Sequence, residues 1–300
     1  MILLTGATGT VGSALLARLT AAGQEVRCLV RDSRRLGSER VRVQIALGDL
    51  AEPGSFRNAL RGVDTVVHLA AAIRDQRRAS IEELNAVATV RLLRAAERAG
   101  ASRFIHFSVL GVTEHSGPRF FRSKALAERA VAVSPLQTTV LALSIVYVPG
   151  DPWLTLLGRL SYLPLMPLPG KGRARYQPIA ADDVAACAME VLAEGPARAE
   201  LAGPETLTHA QIVGRVLGSL GRGRRLVGLP LPVVRAGLRS VEWLWRDSAF
   251  ATWDEAELLE VSMTTQRGTA DARALGVEPR SMREVLEMGA SLRDTPVGGG

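Results

Sequence analysis

Three glycines spaced by two residues lie near the amino end of the chain, in the segment TGATGTVGSAL. Gly6, Gly9 and Gly12 follow a short apolar run and lead into a helical pattern. Without a Cβ, such a turn lets backbone N–H groups and the positive end of a helix approach a pyrophosphate closely. In this strand–turn–helix context the triplet predicts a dinucleotide site, and an ordinary strand-to-helix turn is the alternative.

The end of the second predicted strand bears on which dinucleotide would bind. This strand ends in Arg31, and Asp32, Arg34 and Arg35 follow it. An arginine here pairs with the 2′-phosphate of NADP, whereas an acidic residue accepts a hydrogen bond from the ribose of NAD. The arginines favour NADP over NAD, with Asp32 turned toward the ribose as the alternative.

Asp49 and Leu50 follow the third predicted strand. We expect them at the cofactor, where the Asp49 carboxylate can accept a hydrogen bond from the adenine amino group. A turn or a helix cap is the alternative role for this carboxylate.

Lys124 is one of two lysines, with Lys171, among 37 basic residues. In a chain that uses arginine almost everywhere, a lysine indicates a role for a compact, rotatable ammonium, such as donating to two ribose hydroxyls. The alternative is a surface lysine that pairs with Glu128 one turn later, a contact worth only about 0.2–0.5 kcal/mol. Ser108 ends a predicted strand, where parallel sheets bind ligands, although serine is also common in turns.

Short β-rich runs alternate with helical patterns through the first half of the chain, which predicts an α/β fold with a doubly wound parallel sheet. A helix near residues 81–99 begins with Ser80 and Glu83, the pattern of a capping box, and two further boxes are predicted at Thr208/Gln211 and Ser281/Glu284. The predicted strands are Ile2 to Leu4, Glu25 to Arg31, Val41 to Leu47, Asp64 to Leu69, Arg103 to Ser108, Thr138 to Tyr147 and a short last one at Glu200 to Ala202.

A change of composition divides the chain into two predicted domains. The segment 150–177 is rich in proline, glycine and leucine and is too irregular for a sheet crossover. We therefore expect a dinucleotide-binding domain of residues 1–149 and 178–204. A smaller, mostly helical substrate or cap domain would contain residues 150–177 and 205–300, including an amphipathic helix at Leu231 to Trp245.

Composition limits the classes of partner. The net charge of +7 attracts polyanions, but the arginines are scattered and only 4 % of residues are aromatic, so no nucleic-acid partner is expected. Cys28 and Cys187 are far apart in apolar runs, which is typical of core thiols and predicts no metal site. No apolar run reaches the roughly 18 residues of a membrane span, and Met1 leads directly into a strand, so we expect a cytoplasmic protein.

Five motifs occur in order along the chain: TGATGTVG, GDL, VVHLAA, the FS of IHFSVLG, and SKALAE. Together they resemble the extended or atypical short-chain dehydrogenase/reductase family, a Rossmann family that binds NAD(P), over most of the chain. The stretches LPGKGRARYQPIAADDVA and LAGPETLTHAQIV are most similar to the branch that contains the accessory Rossmann subunit of mitochondrial complex I. The NmrA-like regulators, which bind dinucleotides without turning them over, are a second neighbour.

The resemblance implies a bound dinucleotide and assigns roles to the matching residues. Ser108 occupies the position of the catalytic serine, and Lys124 that of the lysine that holds the nicotinamide ribose. With the residues argued above, the predicted cofactor-binding set is Gly6, Thr8, Gly9, Thr10, Val11, Gly12, Arg31, Asp49, Leu50, Ala70, Ala71, Asn85 and Lys124.

The sequence departs from the family at the catalytic acid. Phe120 stands four residues before Lys124, where the family has its tyrosine, and Phe121 stands where the complex I branch can carry one; Tyr147 is a candidate substitute. General acid catalysis contributes roughly 10²–10⁴-fold, so its loss would cripple carbonyl reduction without abolishing it. We therefore expect slow hydride transfer to an apolar acceptor such as a quinone. The alternative is a non-catalytic regulatory, accessory or assembly subunit that contacts a protein partner.

Overall fold

The computed structural model describes residues 1–76, 79–170, 172–230 and 257–294. The strands in these ranges are β1 (Ile2–Thr5), β2 (Val26–Val30), β3 (Gln44–Leu47), β4 (Thr65–His68), β5 (Arg103–Val109), β6 (Gln137–Leu143), β7 (Val146–Tyr147), β8 (Leu165–Pro169), β9 (Arg175–Tyr176), β10 (Ile179–Ala180), β11 (Arg198–Leu201), β12 (Leu207–Thr208) and β13 (Arg225–Leu229). Seven of them form one parallel sheet in the order β11-β6-β5-β4-β1-β2-β3.

Helices connect the strands of this sheet. Two short 3-10 segments, Ser33–Val41 and Arg57–Leu60, lie among the early crossovers. The α-helices are α1 (Thr10–Ala21), α2 (Pro53–Phe56), α3 (Ala88–Ala99), α4 (Arg119–Ala132), α5 (Pro152–Leu160), α6 (Ala181–Glu190), α7 (His209–Ser219), α8 (Ala270–Ala274) and α9 (Met282–Asp294).

The sheet is buried on both faces. Along β1, Leu3 packs in a cluster with Phe56 of α2, whereas Leu4 packs in a second cluster with Leu15 of α1 and Val184 of α6. Both strand leucines are completely buried, as strands covered by helices on both sides must be. The predicted α/β class with a doubly wound parallel sheet is confirmed.

The helix predicted over residues 81–99 is present and begins with the predicted capping box. The Ser80 N–H donates to Glu83 Oε2 at 2.9 Å, and the Glu83 N–H donates to Ser80 Oγ at 3.2 Å. A π-helical turn, Glu83–Val87, then precedes α3. Such turns are rare and are frequent at functional sites, and this one contains Asn85. The boxes at Thr208/Gln211 and Ser281/Glu284 are also present.

Two predicted strands have different bounds in the structure. The run Thr138 to Tyr147 is not one strand: β6 ends at Leu143, and β7 begins at Val146 and pairs with β10 outside the main sheet. The break follows from Ser144, whose hydroxyl donates to the Met263 carbonyl at 2.7 Å and so ties the chain to a distant segment. The run Val41 to Leu47 becomes β3 only at Gln44, because the preceding residues form the 3-10 segment that ends at Val41.

A third apolar cluster lies beyond the carboxyl ends of β5 and β6. It joins α5, α7 and α9 with three two-stranded sheets, β7–β10, β8–β13 and β9–β12. The segment 150–177, predicted to be irregular, contains α5, which Asp151 caps by accepting a hydrogen bond from the Leu154 N–H at 2.7 Å. The predicted helix at Leu231 to Trp245 lies outside the described residues, and the division into two domains stays a prediction. Among the helices of the described ranges, none is long and apolar enough to cross a membrane.

Candidate functional site

A cleft of about 340 Å³ opens at the carboxyl ends of β1, β2, β3 and β4. This is the edge at which open parallel sheets bind ligands. The loops that follow these four strands supply its walls, and eight residues predicted to bind the cofactor line it: Gly6, Thr8, Gly9, Arg31, Asp49, Leu50, Ala70 and Ala71.

The glycine-rich turn can form only because two of its glycines lack a Cβ, which would collide with neighbouring backbone. Gly6 has φ +76°, and a Cβ on it would lie 2.6 Å from the Ala70 nitrogen. A Cβ on Gly12 would overlap the Gly6 carbonyl oxygen. Gly9 is the N-cap of α1, and its N–H donates to the Gly6 oxygen at 3.0 Å. The turn therefore brings the start of α1, with its free N–H groups, to the cleft.

Thr10, Val11 and Gly12 form the first turn of α1 and do not line the cleft themselves. Their contribution to a bound pyrophosphate would come from the helix end, where the partial positive charge is concentrated. The hydrogen-bond donors of this turn are backbone N–H groups at a helix N-terminus. Such groups suit a phosphate and cannot ligate a metal ion.

The tip of β2 places two arginines at the cleft. Arg31 and Arg35 line it together with Asp32. The Asp32 carboxylate accepts a hydrogen bond from the Arg34 N–H at 2.9 Å and caps the 3-10 segment that starts at Ser33. One carboxylate oxygen thus already holds the backbone, whereas no hydrogen bond fixes the Arg31 or Arg35 guanidinium group within the described ranges. This arrangement favours an added negative charge at this end of the cleft.

Asp49 holds a turn, which is the second of the two roles considered from its sequence position, and its contact with adenine stays a prediction. It lines the cleft, and its Oδ1 accepts a hydrogen bond from the Ala51 N–H at 3.0 Å. The Asp49 N–H donates to Ser55 Oγ at 2.8 Å, which fixes the turn between β3 and α2. The carboxylate therefore stabilises a turn that lies at the wall of the cleft.

Asn85 does not line the cleft, contrary to its prediction as a residue that contacts the cofactor. Its completely buried amide grips the loop after β4: Oδ1 accepts from the Ala72 N–H at 2.9 Å, and Nδ2 donates to the Ala72 carbonyl at 2.7 Å. The reason is geometric, because the π-helical turn aims the side chain at the backbone behind the cleft. Asn85 therefore acts through the loop that carries Ala70 and Ala71.

A buried hydrogen-bond chain under this loop was not anticipated from the sequence. His68 Nδ1 lies 2.7 Å from Thr5 Oγ1, and His68 Nε2 lies 2.8 Å from Thr89 Oγ1. The Thr89 hydroxyl donates to the Asn85 carbonyl at 2.6 Å, so it must accept from His68 Nε2–H. This fixes the neutral tautomer, in which Thr5 donates to Nδ1. Thr5 in turn accepts from the Ala70 N–H at 3.4 Å.

Burial keeps this histidine neutral. Burial, together with the nearby Lys124 charge, lowers the pKa of His68 to about 3. His106 stacks on His68 with ring centroids 5.5 Å apart, and burial holds its pKa well below the usual value. Each of the two adjacent strands β4 and β5 carries a histidine, and the strand pairing places the two side by side. The sequence alone shows the two histidines but not their pairing.

Lys124 is not a surface lysine paired with Glu128. Its side chain is buried, and Nζ donates to the Phe107 carbonyl at 2.7 Å. Glu128 accepts instead from Arg198 at 2.5 Å. Burial lowers the pKa of the Lys124 ammonium to about 8, against the opposing attraction of Glu128. Neither Lys124 nor the buried Ser108, whose hydroxyl has no partner in the described ranges, lines the cleft.

The aromatic residues of the expected acid position belong to the third apolar cluster. Phe120 and Phe121 are buried there with Tyr147, and the two phenylalanine rings make an edge-on contact at 6.0 Å. The Tyr147 hydroxyl is buried without a partner among the described residues, and burial raises its pKa. The structure therefore brings together the phosphate and adenine side of the predicted site. It leaves Ser108, Lys124 and Tyr147 closed off from the cleft.

Comparisons with known proteins agree with this geometry. A model of the family described as NAD(P)H-binding matches residues 6–195. The chain is 34 % identical to sterol demethylase protein B of Methylococcus capsulatus, over 52 % of this chain and 55 % of that protein. It is 27 % identical to NADH dehydrogenase (ubiquinone) 1 alpha subcomplex subunit 9 of Arabidopsis thaliana, over 77 % of this chain and 60 % of that protein. The chain thus spans less than two thirds of the length of these two relatives.

A third relative is matched over most of its length. The chain is 31 % identical to (4-alkanoyl-5-oxo-2,5-dihydrofuran-3-yl)methyl phosphate reductase of Streptomyces griseus, over 79 % of this chain and 80 % of that protein. Among solved structures, UDP-glucose 4-epimerase of Thermus thermophilus in complex with NAD superposes with a TM-score of 0.74 at 18 % identity, over 98 % of this chain and 99 % of that one. At this identity the likeness shows the fold alone. With the family model covering more than half of its residues, the chain belongs to the NAD(P)H-binding family and has the Rossmann fold of the extended short-chain dehydrogenases/reductases.

Proposed function

We propose that this protein binds NADP in preference to NAD and catalyses slow hydride transfer to an apolar acceptor such as a quinone. The observation that carries the proposal is the cleft itself: a glycine turn at a helix N-terminus on one side and Arg31 and Arg35 on the other. Asp32, the residue that would favour NAD, already accepts a backbone hydrogen bond. A 2′-phosphate is therefore the group that the free guanidinium donors suit best.

Calorimetric titration tests the nucleotide preference. We expect NADPH to bind more tightly than NADH, and Arg31→Gln/Arg35→Gln to weaken NADPH binding at least tenfold while changing NADH binding less than about twofold. NADH is the internal control, because it lacks only the phosphate. Equal affinities in the unaltered protein would reject the preference. Gly12→Leu, whose side chain would fill the turn, should bind neither NADPH nor NADH. If the unaltered protein binds neither nucleotide, the whole proposal is rejected.

Lys124 and Ser108 are the residues that we propose for the reacting side. When bound, the dinucleotide supplies the hydride. In this proposal Lys124 exchanges the Phe107 carbonyl for the ribose hydroxyls, and the unpartnered Ser108 hydroxyl donates to the acceptor oxygen. A quinone suits a site without an acidic tyrosine, because its reduced anion is delocalised and can take its proton from water.

The acceptor would enter from the third apolar cluster, to which the predicted substrate or cap domain, residues 150–177 and 205–300, contributes part of the side chains. Leu154 and Leu157 of α5 and Met166 of β8 are buried there beside Phe120 and Phe121. An apolar ring is the class of acceptor that such walls favour. Oxidation of NADPH, measured with quinones and with carbonyl compounds, tests this assignment. Turnover with quinones alone supports it, whereas a protein that holds the nucleotide without any turnover rejects the enzyme.

A second candidate is a non-catalytic accessory or assembly subunit that uses the bound nucleotide for structure. It is favoured by the burial of Phe120, Phe121 and Tyr147, which leaves no tyrosine hydroxyl at the cleft in the described ranges. Its relative in Arabidopsis carries the name of a subunit of a larger enzyme. Under this function, nucleotide binding would raise the thermal midpoint of unfolding, and no acceptor would be reduced.

A further inference from the structure

A second pocket of about 200 Å³ lies on the outer surface of the Rossmann fold, between α2 and α3. It shares no lining residue with the dinucleotide cleft. Four arginines surround it, and none of its lining residues carries a carboxylate. The lining residues are Pro53, Phe56, Arg57, Arg91, Arg94, Ala95 and Arg98.

The helix α3 presents three of these arginines along one face. Arg91, Arg94 and Arg98 are spaced by three and four residues, so they are neighbours on the helix surface. Like charges at this spacing destabilise a helix by a few tenths of a kcal/mol per pair, and Arg57 adds a fourth charge from the facing segment. The acidic residue of the same stretch, Glu97, accepts from Ser134 Oγ at 2.8 Å instead of pairing with them. Four arginines thus line the pocket, and none of its seven lining residues is acidic.

The floor of the pocket is rigid and apolar. Phe56 is 1 % exposed and Ala95 is 8 % exposed, and both belong to the core cluster between the sheet and α3. The Arg91 guanidinium is held only at 3.4 Å from the Ala51 carbonyl, which leaves most of its donors free. An anion seated on this floor would lie among several guanidinium forks, the geometry that binds phosphate oxygens by paired hydrogen bonds.

We propose that this pocket is a second, phosphate-binding site, which takes a compact anion carrying one or two phosphate groups. A bound phosphate would remove the repulsion among the arginines and satisfy their donors. The same chemistry is found in a soluble phosphate ester and in the headgroup of an anionic lipid. The site is independent of the dinucleotide cleft, because no residue serves both.

Titration calorimetry with pyrophosphate tests whether the pocket binds a soluble phosphate ester. The protein is first saturated with NADPH, so that pyrophosphate cannot bind at the glycine turn. If NADPH does not bind, the same titration is made on the protein alone. We expect binding to weaken at least tenfold in Arg91→Gln/Arg94→Gln. The matched control is Arg159→Gln/Arg173→Gln, which removes the same charge from exposed arginines outside the pocket and should change the affinity less than about twofold. Increasing salt should weaken the binding to the unaltered protein.

Flotation with phosphatidic acid vesicles, against phosphatidylcholine vesicles, tests a lipid source with the same two variants. If Arg91→Gln/Arg94→Gln loses pyrophosphate binding and the control variant keeps it, the ligand is a soluble phosphate. If the unaltered protein does not bind pyrophosphate, and Arg91→Gln/Arg94→Gln loses vesicle binding while the control variant keeps it, the ligand is a lipid headgroup. If the two double variants behave alike in both measurements, the pocket is not a phosphate site. Either result can be read whether or not the nucleotide preference proposed above holds.

Discussion

Replacing Lys124 with methionine tests whether the protein keeps a buried charge at this position. Burial lowers the pKa of the Lys124 ammonium from its ordinary value of 10.5 to about 8. A lowering of this size corresponds to about 3 kcal/mol of destabilisation of the charged form. Methionine has a similar length and no charge. We therefore expect Lys124→Met to raise the free energy of unfolding at pH 7 by up to about 3 kcal/mol, although it removes a side chain that our proposal places at the ribose.

The direction of the pH dependence follows from the same shift. Between pH 8 and 10.5 the unfolded lysine still holds its proton, whereas the folded one has released it. The unfolded state then binds more protons, so the contribution of Lys124 to the free energy of unfolding becomes less unfavourable as the pH rises. The difference between Lys124→Met and the unaltered protein should therefore be largest below pH 8 and close to zero above pH 10.5.

Urea denaturation followed by circular dichroism over this pH range measures the difference. Arg129→Met is the matched control on the same helix, because its side chain is 74 % exposed and pairs with Glu114 at 3.1 Å. Exposed pairs contribute about 0–1 kcal/mol, so this variant should change little at any pH. If Lys124→Met is less stable than the unaltered protein at pH 7, or if the difference does not vary with pH, the buried charge is refuted.

Three further variants address the residues around the cleft. Asn85→Ala removes two hydrogen bonds to Ala72 and should lower the free energy of unfolding by about 2 kcal/mol and weaken NADPH binding in calorimetry; unchanged affinity would show that the loop holds itself. The pKa of His68 is lowered from 6.5 to about 3, so between these pH values the unfolded state binds a proton that the folded state does not, and the free energy of unfolding falls as the pH decreases. In His68→Gln the free energy of unfolding should fall less steeply over this range, and an equal slope would contradict the prediction. Phe120→Tyr places a hydroxyl one helical turn before Lys124 and should raise carbonyl reduction by up to roughly 10²-fold, whereas no gain would mean that the pocket differs in more than its acid.

The local rules of sequence were sufficient for the sheet and for the glycine turn that follows β1. Alternating β and α patterns fix a doubly wound sheet because crossovers between parallel strands are right-handed and short. The glycines at positions 6 and 12 could be assigned because only a residue without a Cβ fits those turns. The capping boxes were also predictable, since both partners lie within four residues of each other.

Contacts between distant segments were not predictable in the same way. The Thr5–His68 bond joins residues 63 positions apart, and the two bonds of Asn85 depend on a π-helical turn that has no simple sequence pattern. The end of β6 is set by Ser144 bonding to the Met263 carbonyl, 119 residues away. In each case the sequence shows the residue type, and the fold decides which group that residue contacts.

The buried polar groups on the closed side of the site bear on how catalysis would have to proceed. Ser108, His106 and Tyr147 have polar atoms that are buried without hydrogen-bond partners in the described ranges, and each such group costs about 1–3 kcal/mol. Lys124 is also buried, and its charge acts on His106. A core selected for stability alone would replace these residues with apolar ones of similar size. In the function proposed above, a ligand would enter and supply the missing partners, so that proposal requires the closed side to open on binding.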